Sequence, residues 1–174
     1  MAVRDKLILG TDALTELSYI DTNVDEQLLV ISIIRAQDNE IEPILGTPLF
    51  KKILSDINSD SLTGTYETLV DDYIIKYLTC VVEMTVIPHI NWEIRNKAVG
   101  SSSDDTISAT DERGAFGLIE VIRKEAVTYK RRLLGFLCDE YEDGNLPEYG
   151  QGLVDKEEIA PEKDQGNTAN IKFL

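Results

Sequence analysis

The stretch Tyr66-Glu67-Thr68-Leu69-Val70-Asp71-Asp72-Tyr73-Ile74-Ile75-Lys76-Tyr77-Leu78-Thr79-Cys80-Val81-Val82-Glu83-Met84-Thr85-Val86-Ile87-Pro88 decides how the chain folds. Tyr66, Val70, Tyr73, Tyr77, Val81, Met84 and Pro88 step by three and four, and Leu69, Ile74, Cys80 and Ile87 widen the row. Side chains that return at this interval share one face of a helix. The pattern predicts one helix from Tyr66 to about Lys97, with a bend or break at Pro88, whose ring removes a backbone hydrogen bond. Downstream, Phe116, Ile119, Ile122, Ala126, Tyr129, Leu133, Phe136, Leu137 and Tyr141 trace a second long helix, closed by Gly144. At about 1.5 Å per residue each helix is roughly 40–45 Å long, and the polar segment from Gly100 to Arg113 is short enough to make them antiparallel neighbours. The expected fold is all-α: an elongated bundle built on a long antiparallel helical hairpin, with an extended N-terminal arm and C-terminal tail.

Upstream, Leu28, Ile31, Ile34 and Ile41 recur at helical spacing, and Asn23 or Asp25 can cap the first turn. This helix is expected to end near Glu42, because Pro43 cannot continue the ladder and disfavours helical geometry in its predecessor. Gly46 then turns the chain, in a conformation a β-carbon would oppose. Thr47-Pro48 reads as a cap followed by proline at the first helical position. A short helix from Pro48 to Asp56 follows, burying Leu49, Ile53 and Phe50, and turn-forming residues 58–64 separate it from the long helix. The helical signal stops after Pro147-Glu148-Tyr149. This divides the chain into a helical domain, residues 1–149, and an extended acidic tail, residues 150–174, ending in the apolar Ile171-Lys172-Phe173-Leu174.

The 174 residues include 32 acids, 17 bases and one histidine, a formal charge of −15, while 43% apolar content supports a core. Such a charge opposes capture of nucleic acid by the molecule as a whole, since phosphate anchoring needs clustered positive charge. Residues 139–174 alone hold 10 acids against 3 bases. The N-terminus lacks the pattern of a signal peptide, and Glu83 interrupts the best candidate for a membrane span, so the chain reads as a soluble protein. Cys80 and Cys138 fall inside apolar helical patterns and are expected as buried free thiols, as suits a reducing cytoplasm.

No constellation for catalysis, metal binding or a cofactor emerges. Gly114-Ala115-Phe116-Gly117 follows no strand and lacks the lysine of a phosphate-binding loop. His89 is the sole imidazole and reads as structural rather than catalytic. Asp71-Asp72 and Asp104-Asp105 are adjacent pairs that a helix would splay about 100° apart, so they read as solvated surface. The one local reversal of charge is Arg123-Lys124 with Lys130-Arg131-Arg132. It reads either as a solvated helix face or as a docking stripe, with Arg123, Lys130, Arg131 and Arg132 pairing with an acidic patch on a partner or on a neighbouring copy, where tail acids such as Asp155, Glu157, Glu158 and Glu162 could supply the counterpart. Ile171, Phe173 and Leu174 would be the apolar anchor of that tail.

The segment Ala36-Gln37-Asp38-Asn39-Glu40-Ile41-Glu42-Pro43-Ile44-Leu45-Gly46-Thr47-Pro48-Leu49-Phe50 resembles a motif of head-to-tail connector proteins of tailed bacteriophages, including the ring proteins of crAss-like phages and phages of Bacteroides-type bacteria. The order of parts is similar too, from the Asn23-Val24-Asp25 helix start to the Pro147-Glu148-Tyr149 exit, so the resemblance covers most of residues 15–150. It implies an α-helical subunit of a closed homo-oligomeric ring, most often a dodecamer, made in the host cytoplasm and located in the virion neck. The implied partners are the portal protein and neighbouring ring or tail proteins, with DNA passing through the lumen without sequence-specific binding and no membrane involved. Pro43, Leu45, Gly46 and Pro48 would determine the fold rather than make contacts. The other readings are a cytoplasmic helical adaptor or regulatory protein that binds one partner, and, less in keeping with the residues, an enzyme whose turnover would depend on His89.

Overall fold

The computed structural model describes residues 7–20, 23–91, 93–95, 98–100 and 112–150, and within them the chain is all-α apart from one small ribbon. The helices are α1 (Thr11–Leu17), α2 (Glu26–Ala36), α3 (Glu42–Leu45), α4 (Thr47–Asn58), α5 (Thr65–Thr68), α6 (Ile75–Asn91) and α7 (Glu112–Glu142). A π-helical segment, Gln37–Ile41, joins α2 to α3, and a second, Leu69–Ile74, joins α5 to α6. Strands β1 (Glu93–Arg95) and β2 (Ala98–Gly100) pair antiparallel, with Ile94 opposite Val99.

Thr65 to Asn91 is one helical run, as its apolar spacing predicts, but it ends at Asn91 rather than Lys97 and passes into β1. The break considered at Pro88 does not occur, because α6 continues through the proline to Asn91. Pro88 is exposed, so water can hydrogen-bond the carbonyl that the missing N–H leaves without a donor. Neither does Pro43 end the first helix. In the π segment before it, the Glu42 N–H bonds to the Gln37 carbonyl five residues back. This wider turn makes room for the proline ring, and the helix runs on to Leu45.

The cap of α2 is Asp25, whose carboxylate accepts from the Gln27 N–H at 2.9 Å. Its buried face is Leu29, Ser32, Ile33 and Ala36, one residue away from the expected row of Leu28, Ile31 and Ile34. Residues 28–34 are apolar at every position but Ser32, so spacing alone selects no face. At α4 the cap is Gly46, with Pro48 in the first turn. Thr47, expected as the cap, instead donates its hydroxyl to Glu42 Oε1 at 2.7 Å. Leu49, Phe50 and Ile53 are buried, as expected.

The N-terminal segment departs most from expectation. Residues 7–20 do not form an extended arm; they include α1 and lie on the core, burying Ile8, Leu9, Leu14 and Ile20. The terminal tail expected over residues 150–174, with its anchor Ile171, Phe173 and Leu174, lies almost wholly outside the described residues, as do Asp104 and Asp105.

α6 is the middle helix, packing along α2 on one side and α7 on another. Its buried residues, Tyr77, Leu78, Thr79, Cys80, Val82, Glu83 and Val86, therefore wrap around the helix instead of marking one stripe. α7 presents Ile122, Ala126, Leu133 and Leu137, all on the predicted face. The two helices are antiparallel: Tyr73 stacks on Phe136 with centroids 4.3 Å apart, while Cys80 and Glu83, further along one chain, feel the charge of Glu125, further back on the other. Gly144 closes α7 with φ +80°, its N–H bonded to the Tyr141 carbonyl and that of Asn145 to the Glu140 carbonyl. This is the Schellman arrangement that favours glycine. Leu146 and Tyr149 then return to the core through a 3-10 turn, Pro147–Gly150, and Glu148 accepts from the Tyr66 hydroxyl at 2.7 Å. Burial, reinforced by that carboxylate, pushes the Tyr66 phenol up to about 12.

One buried group goes unsatisfied among the described residues. The Thr79 hydroxyl, in a residue 5% exposed, has no hydrogen-bond partner. Thr79→Val retains the branched shape and removes the uncompensated oxygen, so it should raise the unfolding free energy by about 1 kcal/mol. Urea titration of both proteins checks this.

Candidate functional site

The residues singled out for charge pairing all lie on α7, but they do not form one stripe. At 100° per residue, Arg123 and Lys130 lie on one line of the helix, Lys124 and Arg131 on a second, and Arg132 apart from both. Arg123 already pairs with Glu120 one turn away, at a solvent-exposed site where such a pair contributes little. Lys130 is half-buried and engaged within its own chain. Lys124, Arg131 and Arg132 are exposed and make no ion pair among the described residues. The available positive charge of α7 is thus carried by these three.

Arg132 faces a cleft of about 540 Å³ between α7 and the π segment that leads into α6. Asp72, Tyr73 and Lys76 form one wall, and Tyr129, Phe136 and Asp139 the other, with Gly135 leaving space between. Asp72 and Lys76 pair at 3.3 Å, so cations and carboxylates alternate around the opening. This arrangement suits a polar contact with another macromolecule better than a small-molecule site, which would be more enclosed and more apolar.

At the turn after α3 the backbone is tightly constrained. Leu45 is completely buried, and Gly46 adopts φ +76°, ψ +151°, a region essentially closed to residues with a β-carbon. Pro48 lies in the first turn of α4, where its missing N–H has no cost.

Two buried polar side chains that spacing alone did not single out fasten the N-terminal segment. Gln37, in the π segment, accepts from the Ile8 N–H at 2.7 Å, and Glu83, in α6, accepts from the Tyr19 N–H at 2.7 Å. Both acceptors are almost fully buried. The available signal was the lone acid in the apolar run Val81-Val82-Glu83-Met84, because a buried carboxylate needs a partner. Burial raises the Glu83 carboxyl above its usual range; the Tyr19 N–H opposes this and Glu125 adds to it. A carboxyl with a raised folded-state pKa contributes most below its unfolded-state value, and the contribution is lost as pH rises through the folded-state value. Glu83→Gln keeps an acceptor for Tyr19 and discards the charge. The variant should be at least as stable as the parent at neutral pH and should lack this decline, which paired thermal melts across about pH 4 to 8 would reveal.

No group of three or more potential metal ligands occurs among the described residues. His89 is exposed, with Nδ1 2.6 Å from the Thr85 carbonyl oxygen. Neither cysteine forms a disulfide; Cys80 is buried and Cys138 only half-buried. Burial first, then the charges of Glu83 and Glu125, push the Cys80 thiol up to about 11, away from the thiolate form that nucleophilic chemistry needs. No helix among the described residues is long and apolar enough to cross a membrane.

Neither a curated protein nor a solved structure matches the chain. One family does, over residues 41–152, a span that opens at Ile41, takes in α3 to α7 and covers more than half of the sequence. The chain therefore belongs to the family of unknown function DUF6712.

Proposed function

We propose that this chain is a non-enzymatic structural subunit of a closed ring in the neck of a tailed-phage virion, seated between portal protein and tail, with DNA passing through the lumen. The observation that carries this reading is the likeness of residues 36–50 to the head-to-tail connector motif. The buried Leu45 and the glycine-only backbone at Gly46 support treating that segment as a constrained turn rather than a chance run of common residues. A long α7 with one face on α6 and the others open to solvent suits a subunit that packs beside its neighbours. The net charge of −15 suits a conduit, because an acidic inner wall repels phosphates and lets DNA slide. A ring whose lumen proved neutral or basic would sink that last assignment.

Negative-stain electron microscopy of the purified chain, alone and with portal protein, tests the reading. Rings in either sample are the expected result; a persistent monomer with no affinity for portal would favour the adaptor reading instead. Because Leu146 and Tyr149 complete the core, deleting residues 151–174 should leave the helical circular dichroism signal intact while weakening assembly. Loss of most helix would show that the tail belongs to the core.

A further inference from the structure

The outer face of α7 is built for a protein neighbour. Phe116 is 66% exposed and Val127 56%, and helical spacing sets them on the same side as Lys124 and Arg131. Apolar side chains flanked by cations without ion-pair partners call for a surface that supplies both apolar contact and negative charge. The molecule carries such a surface elsewhere. Between α1 and α2 lies a groove of about 540 Å³, lined by Leu7, Thr11, Asp12, Thr15, Glu26 and Val30. Glu16 stands one turn beyond Asp12 on α1 and is exposed. Asp12 and Glu16 make no ion pair among the described residues. α2 and α7 each pack along α6, and α1 packs on α2.

We infer that these surfaces meet between copies: the α7 face of one subunit, through Phe116, Lys124, Val127 and Arg131, seats on the α1–α2 groove of the next, against Asp12 and Glu16, with Leu7 and Val30 of the groove as the apolar contact. The inference rests on the ring reading above and specifies which faces form the ring. In a head-to-tail contact each copy keeps one face of each kind open after pairing, and the contact repeats until the rotation closes. The pairing also helps so acidic a chain to tolerate its own copies, since Lys124 and Arg131 are opposed to acids at the contact.

Charge exchange in the full-length protein tests this, read by sedimentation velocity with circular dichroism confirming the fold of each variant. Lys124→Glu with Arg131→Glu should weaken self-association at least about tenfold, and so should Asp12→Lys with Glu16→Lys. Mixed in equal amounts, the two variants should assemble again, because each supplies the face the other has reversed. Phe116→Ser, which leaves the charges in place, should weaken association as well. Wild-type assembly that is indifferent to the reversals, or variants that fail to rescue each other, would overturn this pairing while leaving the ring intact. A wild-type chain that stays monomeric with and without portal protein would overturn both.

Discussion

Leu78→Ala is expected to lower the unfolding free energy by about 2–5 kcal/mol, the largest effect of any single substitution considered. Leu78 is fully buried on α6, the helix packed along both α2 and α7. Truncation removes apolar contact and leaves a cavity that neighbours on more than one helix would have to move to fill. Such a site relaxes poorly, which places the cost toward the upper part of the range. Ile75 is the useful control: it lies on the same helix but is only partly buried, so Ile75→Ala should cost clearly less. Denaturant unfolding of the three proteins checks both values. Equal costs at the two positions would mean that α6 is not the centre of the core.

Gly46→Ala is expected to cost about 1–3 kcal/mol although it adds only a methyl group. The glycine is the last residue before α4 and the first after α3, and its backbone serves both helices: its N–H bonds to the Glu42 carbonyl at 2.8 Å and its own carbonyl accepts from Phe50 at 3.0 Å. An alanine must either hold φ +76°, ψ +151° under strain or give up one of those bonds and shift α4. Either outcome disturbs Leu45, Leu49 and Ile53, which are fully buried around the turn. The contrast is Gly10→Ala: that glycine has φ −70° and open space where a Cβ would sit, so the change should be nearly neutral. Thermal melts of the two variants side by side separate backbone strain from the mere loss of a glycine.

Periodicity made the all-α class legible because α7 is amphipathic: its predicted row contains Ile122, Ala126, Leu133 and Leu137, all of them buried. It failed at α2, where a nearly unbroken apolar run offers every face equally and the buried one falls a residue away from the expected row. The π segments were invisible for a different reason. A five-residue hydrogen-bond step is a change of register, with no residue type reserved for it, and it turned Pro43 from a helix stop into a residue the helix absorbs. α1 was missed because Thr11–Leu17 holds too few apolar residues to show a period, and its docking depends on Gln37 and Glu83, far away in sequence. At the candidate surfaces, the sequence located the bases of α7. Which of them were already engaged depended on packing: Arg123 is held by Glu120, Lys130 within its own chain, and only Lys124, Arg131 and Arg132 remain exposed without an ion pair among the described residues.

Native mass spectrometry of the full-length chain, with and without portal protein, tests the central claim most directly. A ring subunit gives one discrete high-order species, twelve copies of the 19.5 kDa chain being the number the connector resemblance implies. A monomer at every concentration in both samples, or a ladder of open chains with no preferred number, would contradict it.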